Sequence, residues 1–148
     1  MMMRRKGQAA MELEFALEGI ETTAESYEFN IQSEDAPRPT LHAPILLNWA
    51  PLVEAVIVDL KASISISQIS ARFHNALAEV ILAVAKRVGQ PQVVLSGGCF
   101  QNRYLTERSV RRLEAEDFRP YWHQRIPPND GGISLGQAVA ALRETGRA

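Results

Sequence analysis

The chain has a single cysteine, Cys99, so it can form no disulfide within itself. Its fold must therefore rest on packing alone, and a reducing, cytoplasmic setting is the expectation. No apolar run approaches the roughly 20 residues needed to cross a bilayer. The basic start, Met1-Met2-Met3-Arg4-Arg5-Lys6, has no apolar stretch behind it and does not read as a signal peptide. Charge of one sign is not in excess either. A formal net charge of -1 gives no electrostatic case for nucleic acid or an anionic membrane as partner. The three histidines, His42, His74 and His123, show no metal-ligand spacing such as His-x-x-x-His and read as packing or surface residues. There is no internal repeat and no low-complexity segment.

What remains is ordinary globular composition, 46% hydrophobic and 22% charged over 148 residues. A chain of that length buries about 68–70% of the surface its unfolded form exposes, enough for one domain over residues 1–148. Helix formers with apolar positions at Ala10, Leu13 and Leu17 predict a helix from Gln8 to Leu17, stopped near Gly19. Strict polar–apolar alternation predicts a half-exposed strand over Ser26–Ile31. Glu34–Pro39, with two prolines, predicts a loop, and Pro44–Leu47 a second short strand.

The apolar positions of Trp49–Leu60 predict a buried helix. Ser65 or Ser67 then caps a long helix to about Val88, with Ile66, Ile69, Phe73, Leu77, Ile81, Val84 and Val88 on one stripe. Beyond Pro91 the pattern changes to a short β-branched strand, Gln92–Ser96, of the kind buried in a parallel sheet. Then come a helix from Asn102 to about Ala115, a strand from Phe118 to Trp122, and a last helix from about Gly131 to Arg143. Alternating strands and helices imply a three-layer α/β fold, a mixed sheet flanked by helices.

Two glycine turns carry the chemistry. The first, Ser96-Gly97-Gly98-Cys99-Phe100-Gln101-Asn102, joins a strand to a helix. Glycine lets backbone approach a ligand, and the following helix aims unpaired N–H groups and its dipole at the same spot, which suits phosphate. The same glycine pair also suits a bare tight turn, and Asn102 either caps the helix or meets the ligand. No Lys-Ser/Thr pair follows, so this is not a Walker loop. The second turn, Ile126-Pro127-Pro128-Asn129-Asp130-Gly131-Gly132-Ile133, presents Asp130 on a rigid, glycine-flanked segment. There Asp130 serves either as helix cap or as ligand of a divalent cation; spacing alone favours the cap.

Together, Leu95-Ser96-Gly97-Gly98-Cys99-Phe100-Gln101-Asn102 and Pro127-Pro128-Asn129-Asp130-Gly131-Gly132-Ile133-Ser134-Leu135-Gly136-Gln137 resemble the end of the hydrogenase-maturation carbamoyltransferases, the HypF family. Ile69–Leu77 and Gly7–Glu14 resemble the same family's preceding helix and opening motif, so the likeness covers nearly the whole chain. The family has Tyr-Glu before the opening glycine, where this chain has Arg5-Lys6.

The resemblance implies an actin-like, hexokinase-like (ribonuclease-H-like) ATPase fold of two lobes around a nucleotide cleft. This chain would be the C-terminal lobe. Carbamoyl-adenylate in such a cleft gives its carbamoyl group to the C-terminal cysteine of a partner in [NiFe]-hydrogenase maturation. Gly97, Gly98 and Asn102 would contact the phosphates of ATP, AMP or carbamoyl-adenylate, and Gly7 the ribose or adenine. Asp130 would be a metal ligand, reversing the preference from spacing. No residue here is assigned a catalytic role. The family's metal histidines belong to the other, N-terminal lobe, so half a cleft is expected to catalyse poorly alone. Since the acceptor thiol is the partner's, Cys99 reads as a small buried residue. The alternative function is a non-catalytic assembly module derived from that lobe, which would self-associate or dock to another chain.

Overall fold

The computed structural model describes residues 8–17, 19, 23–33 and 45–146. Gly7, His42, the loop Glu34–Pro39 and Pro44 lie outside them. The chain divides into two compact units, Met1–Gly89 and Gln90–Ala148.

The first unit is built on a long helix. Helix α1 spans Gln8–Phe15, two residues shorter than the apolar spacing predicts. The amides of Ala16 and Leu17 bond to Glu12 and Glu14 as the last turn tightens. Strand β1 (Asn30–Ser33) pairs antiparallel with β2 (Ile45–Asn48), in the register Asn30 opposite Asn48. The predicted strand over Ser26–Ile31 is therefore displaced toward the C-terminus. Asn75 is the physical reason. Its Nδ2 donates to the carbonyls of Thr23 (2.9 Å) and Glu25 (2.7 Å), so this backbone is bound to a helix and not to a neighbouring strand.

Helix α2 (Ala50–Lys61) begins with Pro51, a residue tolerated in a first turn, where amides lack intrahelical partners. Of its residues only Leu52 is buried, and Val53, Ile57, Val58 and Leu60 are exposed, so the helix is not the buried one that its composition predicts. Its apolar stretch runs around most of the helix, and among the described residues the next helix packs against one side of it. Helix α3 (Ile66–Val88) is capped by Ser65, whose hydroxyl accepts from the Gln68 amide at 3.3 Å. Its buried face is wider than the predicted stripe and includes Ser70, Ala71, His74, Asn75, Ala76 and Ala78, whereas Ile66 and Val88 are exposed.

The core of this unit gathers Tyr27, Leu52, Ile69 and Ala76, with Val56, Ile64 and Phe73 packed against it. Each large side chain so buried contributes about 1.5–3 kcal/mol. A charged network borders it. Tyr27 Oη donates to Asp59 Oδ2 at 2.7 Å, and Arg72 pairs with both Asp59 and Glu25 at 2.6 Å. The hydrogen bonds from Tyr27 and Arg72 hold the Asp59 carboxyl below the usual carboxylate range. Burial, reinforced by that carboxylate, pushes the Tyr27 phenol well above its ordinary value.

The second unit is an α/β unit. Strand β3 (Gln92–Leu95) lies parallel to β4 (Arg119–Trp122), with Gln92 opposite Arg119 and Leu95 opposite Trp122. Helix α4 (Arg103–Glu114) connects them, and α5 (Ile133–Thr145) follows. Leu95, Leu105, Val110 and Leu113 are buried. Parallel pairing was the expectation for β3, but Val94 and Tyr121 are exposed, so the strand pair is not covered on both faces. Among the described residues antiparallel and parallel pairing thus both occur, in two separate two-stranded sheets and not in one mixed sheet.

Candidate functional site

Both glycine turns leave the carboxyl ends of the parallel strands. After Leu95 the chain enters Ser96 and Gly97, the latter at φ 104° and ψ 164°, a conformation open essentially to glycine alone. Gly98–Gln101 then forms a 3-10 turn, closed by Phe100 N bonding to Gly97 O at 3.1 Å and Asn102 N to Cys99 O at 3.2 Å. Asn102 Oδ1 accepts from Leu105 N at 2.8 Å and so caps α4. Thr106 Oγ1 ties the same turn, donating to the carbonyls of Phe100 and Asn102.

No atom stands within 4 Å of where a Cβ would sit on Gly97 or Gly98. At Gly97 it is therefore the backbone angle that demands glycine. At Gly98 neither crowding nor φ does, and its missing side chain leaves open space above the turn. Cys99 is exposed, contrary to the buried residue expected, because the backbone of the 3-10 turn turns that position outward.

The second turn has its own logic. Asn129 Oδ1 accepts from Gly131 N at 3.0 Å, and Gly132 N bonds to Asn129 O at 3.0 Å. Asn129, not Asp130, is thus the cap of the 3-10 turn Asp130–Gly132. Asp130 is exposed, and its carboxylate bonds to none of the described residues. A Cβ on Gly132 would lie 2.9 Å from Pro127 O, so close packing against the diproline requires glycine there.

One bond joins the two turns: Gly97 N donates to Pro128 O at 2.9 Å. A second contact stands beside it, Ser96 Oγ to His123 Nε2 at 3.0 Å. Sequence spacing leaves His123 isolated; the structure pairs it. Ser96 and His123 each follow the last residue of a strand, and Leu95 and Trp122 are partners in the register, so the two side chains emerge side by side. The clue in the sequence lay in that equivalence of position, which spacing alone could not reveal.

The structure therefore brings Gly97, Gly98 and Asn102 into one turn and ties that turn to the segment carrying Asp130. Gly7 lies outside the described residues. Among the described residues no group of three histidine, cysteine, aspartate or glutamate side chains could hold a metal ion. A cation at Asp130 would draw its other ligands from elsewhere. The residues present suit an anion better: an open, glycine-lined turn at a helix start.

Residues 3–137 match the family model described as carbamoyltransferase, Kae1-like domain, second subdomain. The carbamoyltransferase HypF of Synechocystis sp. is 32% identical over 138 residues, covering 93% of this chain and 17% of that protein. Carbamoyltransferase HypF2 of Cupriavidus necator is 37% identical over 97 residues, covering 66% of this chain and 12% of that protein. Full-length HypF, crystallised in a phosphate- and nucleotide-bound form, superposes with a TM-score of 0.76 at 37% identity, over 94% of this chain and 21% of that one. T. kodakarensis HypF shares the fold, with a TM-score of 0.63 at 22% identity over 96% of this chain and 18% of that one. The chain thus spans about a fifth or less of the relatives it matches. Its two glycine turns, the helix between them and nearly its whole length place this chain in the HypF carbamoyltransferase family, as the second subdomain of the Kae1-like domain.

Proposed function

We propose that the chain forms one wall of a nucleotide cleft, the C-terminal lobe of an actin-like, hexokinase-like domain in a carbamoyltransferase. The observation that carries this reading is the bond from Gly97 N to Pro128 O, which puts an open glycine turn beside the segment bearing Asp130. In this reading Gly97, Gly98 and Asn102 contact the phosphates of ATP, AMP or carbamoyl-adenylate. Gly7 is assigned to the ribose or adenine on the family resemblance alone. A relative crystallised in a phosphate- and nucleotide-bound form supports nucleotide as the ligand class.

Asp130 would hold a divalent cation together with ligands from the other lobe, and the cation would neutralise phosphate charge. The chain's own part is to bind and orient. In this reading the phosphate is met by amides of the turn other than those of Gly97, Phe100 and Asn102, which bond within the protein, and a fixed turn loses little freedom on binding. The carbamoyl group then passes to the C-terminal cysteine thiolate of a hydrogenase-maturation partner: a sulfur–carbon bond forms, the bond from the carbamoyl carbon to the phosphate oxygen breaks, and AMP leaves. With the other wall on another part of the protein, this lobe alone binds weakly and turns over poorly.

Titration calorimetry with AMP and ATP, with and without a divalent cation, tests the reading. Weak binding that is lost in Gly97→Ala is the expected result. Undetectable binding of either nucleotide under all conditions would sink it.

A second reading, an assembly module, is favoured by a different observation. Helix α5 has no buried residue although Ile133, Leu135, Val139 and Leu142 lie along it, and Val94 is 72% exposed on the strand pair. In the first unit, Leu13, Val53, Val56, Ile57 and Phe73 line an apolar groove. Surfaces of this kind are ordinarily covered. Sedimentation velocity separates the two: a concentration-dependent homo-oligomer supports assembly, and a monomer at high concentration counts against it.

A further inference from the structure

We infer that Ser96 and His123 form a latch that holds the nucleotide turn in its binding conformation, making His123 a positioning residue for phosphate recognition. The inference rests on reading the Gly97–Gly98 turn as a phosphate site, and it adds the side chains of Ser96 and His123 to the backbone of that turn.

The geometry is specific. Ser96 and His123 directly succeed paired strand residues, Leu95 and Trp122, at the carboxyl ends of β3 and β4. Their side chains meet at 3.0 Å between Oγ and Nε2. Gly97, the next residue along, is the one with the glycine-only backbone, and its amide reaches across to Pro128 O at 2.9 Å. Two cross-links on adjacent residues therefore fasten the first turn to the connection after β4, one through side chains and one through backbone. Glycine reaches that backbone conformation without strain but has much freedom to lose in being held there, and the latch limits that freedom on its N-terminal side. On the other side the 3-10 turn and the Asn102 cap perform the same task.

The chemistry favours positioning over proton transfer. The serine hydroxyl can donate to an unprotonated Nε2 or accept from a protonated one, so the contact survives either tautomer and either charge of the imidazole. The acceptor in the proposed transfer is already a thiolate, so the step asks for no base, and the pair is left the part of holding the turn. His123 also borders, with Val94 and Tyr121, a depression on the strand pair.

Hydrogen exchange at the Gly97 amide reads the latch directly, and AMP affinity reads its consequence. In Ser96→Ala and His123→Ala the Gly97 amide should exchange roughly three- to tenfold faster, as loss of one net hydrogen bond implies. The Leu105 amide, held by Asn102, should be unchanged, which shows that the unit remains folded. The AMP dissociation constant should rise by a similar factor. His123→Gln, whose side-chain amide reaches the position of Nε2, should restore both. Unchanged Gly97 exchange in both alanine variants would overturn the latch. Faster exchange with unaltered AMP affinity would overturn its role in recognition. Should the wild-type chain bind no AMP while the exchange pattern holds, the phosphate reading of the turn fails and the latch stands as a structural link only.

Discussion

At the scale of single residues, three positions decide more than their neighbours do. Asn75 is fully buried and holds two carbonyls of the preceding loop with one amide group. Asn75→Ala removes two hydrogen bonds from a fully buried position, and at about 0.5–1.5 kcal/mol each the expected loss is about 1–3 kcal/mol in urea denaturation. His74 is buried as well, with Nδ1 bonded to the Ser70 carbonyl at 2.8 Å. Burial depresses its pKa below the ordinary histidine value, against the opposing pull of the Ser70 carbonyl and the Glu14 charge. Below about pH 6.5 the unfolded chain therefore takes up this proton before the folded one does. The resulting stability is complete above that pH and falls away as the pH drops toward the folded-state value. Urea midpoints compared at pH 7.5 and 5.5 (roughly, one unit either side of the free value) should show a steeper acid loss in the wild type than in His74→Gln. An equal loss in both would contradict the assignment. Gly97 is the third. Gly97→Ala at its φ and ψ is expected to lose about 1–3 kcal/mol, visible as a lower urea midpoint.

At the scale of elements, the helices were largely legible and the strands only partly. Ser65 at the head of α3 and Asn102 at the head of α4 are capping residues, and the structure uses both in that way. The ends were harder to read. Helices α2 and α4 close through Ser63 and Asp117, both at positive φ, with Ile64 N reaching Asp59 O and Phe118 N reaching Leu113 O. A search for glycine at helix ends passes over both closures. Ser63→Gly should consequently stabilise the chain by about 0.5–1 kcal/mol, since relief of left-handed strain exceeds the added freedom of the unfolded glycine; a lower thermal midpoint would contradict this. The displaced strand β1 was illegible for a different reason. Tyr27 fits an alternating pattern, but its ring enters the core and its hydroxyl bonds to Asp59, contacts set by tertiary structure. The apolar run of α2 likewise signalled a helix correctly and its burial incorrectly, because composition does not reveal which neighbours are present.

At the scale of the whole molecule, the two glycine turns stand 30 residues apart in sequence and are joined by backbone at Gly97 and Pro128. Their chemistry was legible in the motifs themselves. Their junction was not, since it depends on β3 and β4 lying parallel and in register. Neither were the requirement for Gly132 against Pro127 O and the pairing of His123 with Ser96, which are contacts between segments. Both turns together make up the proposed phosphate site. Amide chemical-shift mapping during titration with AMP reads that site residue by residue. Gly97, Gly98 and the amides of residues 129–132 should shift together and saturate with one dissociation constant. Shifts confined to one turn, or absent from both while AMP binds elsewhere, would contradict it.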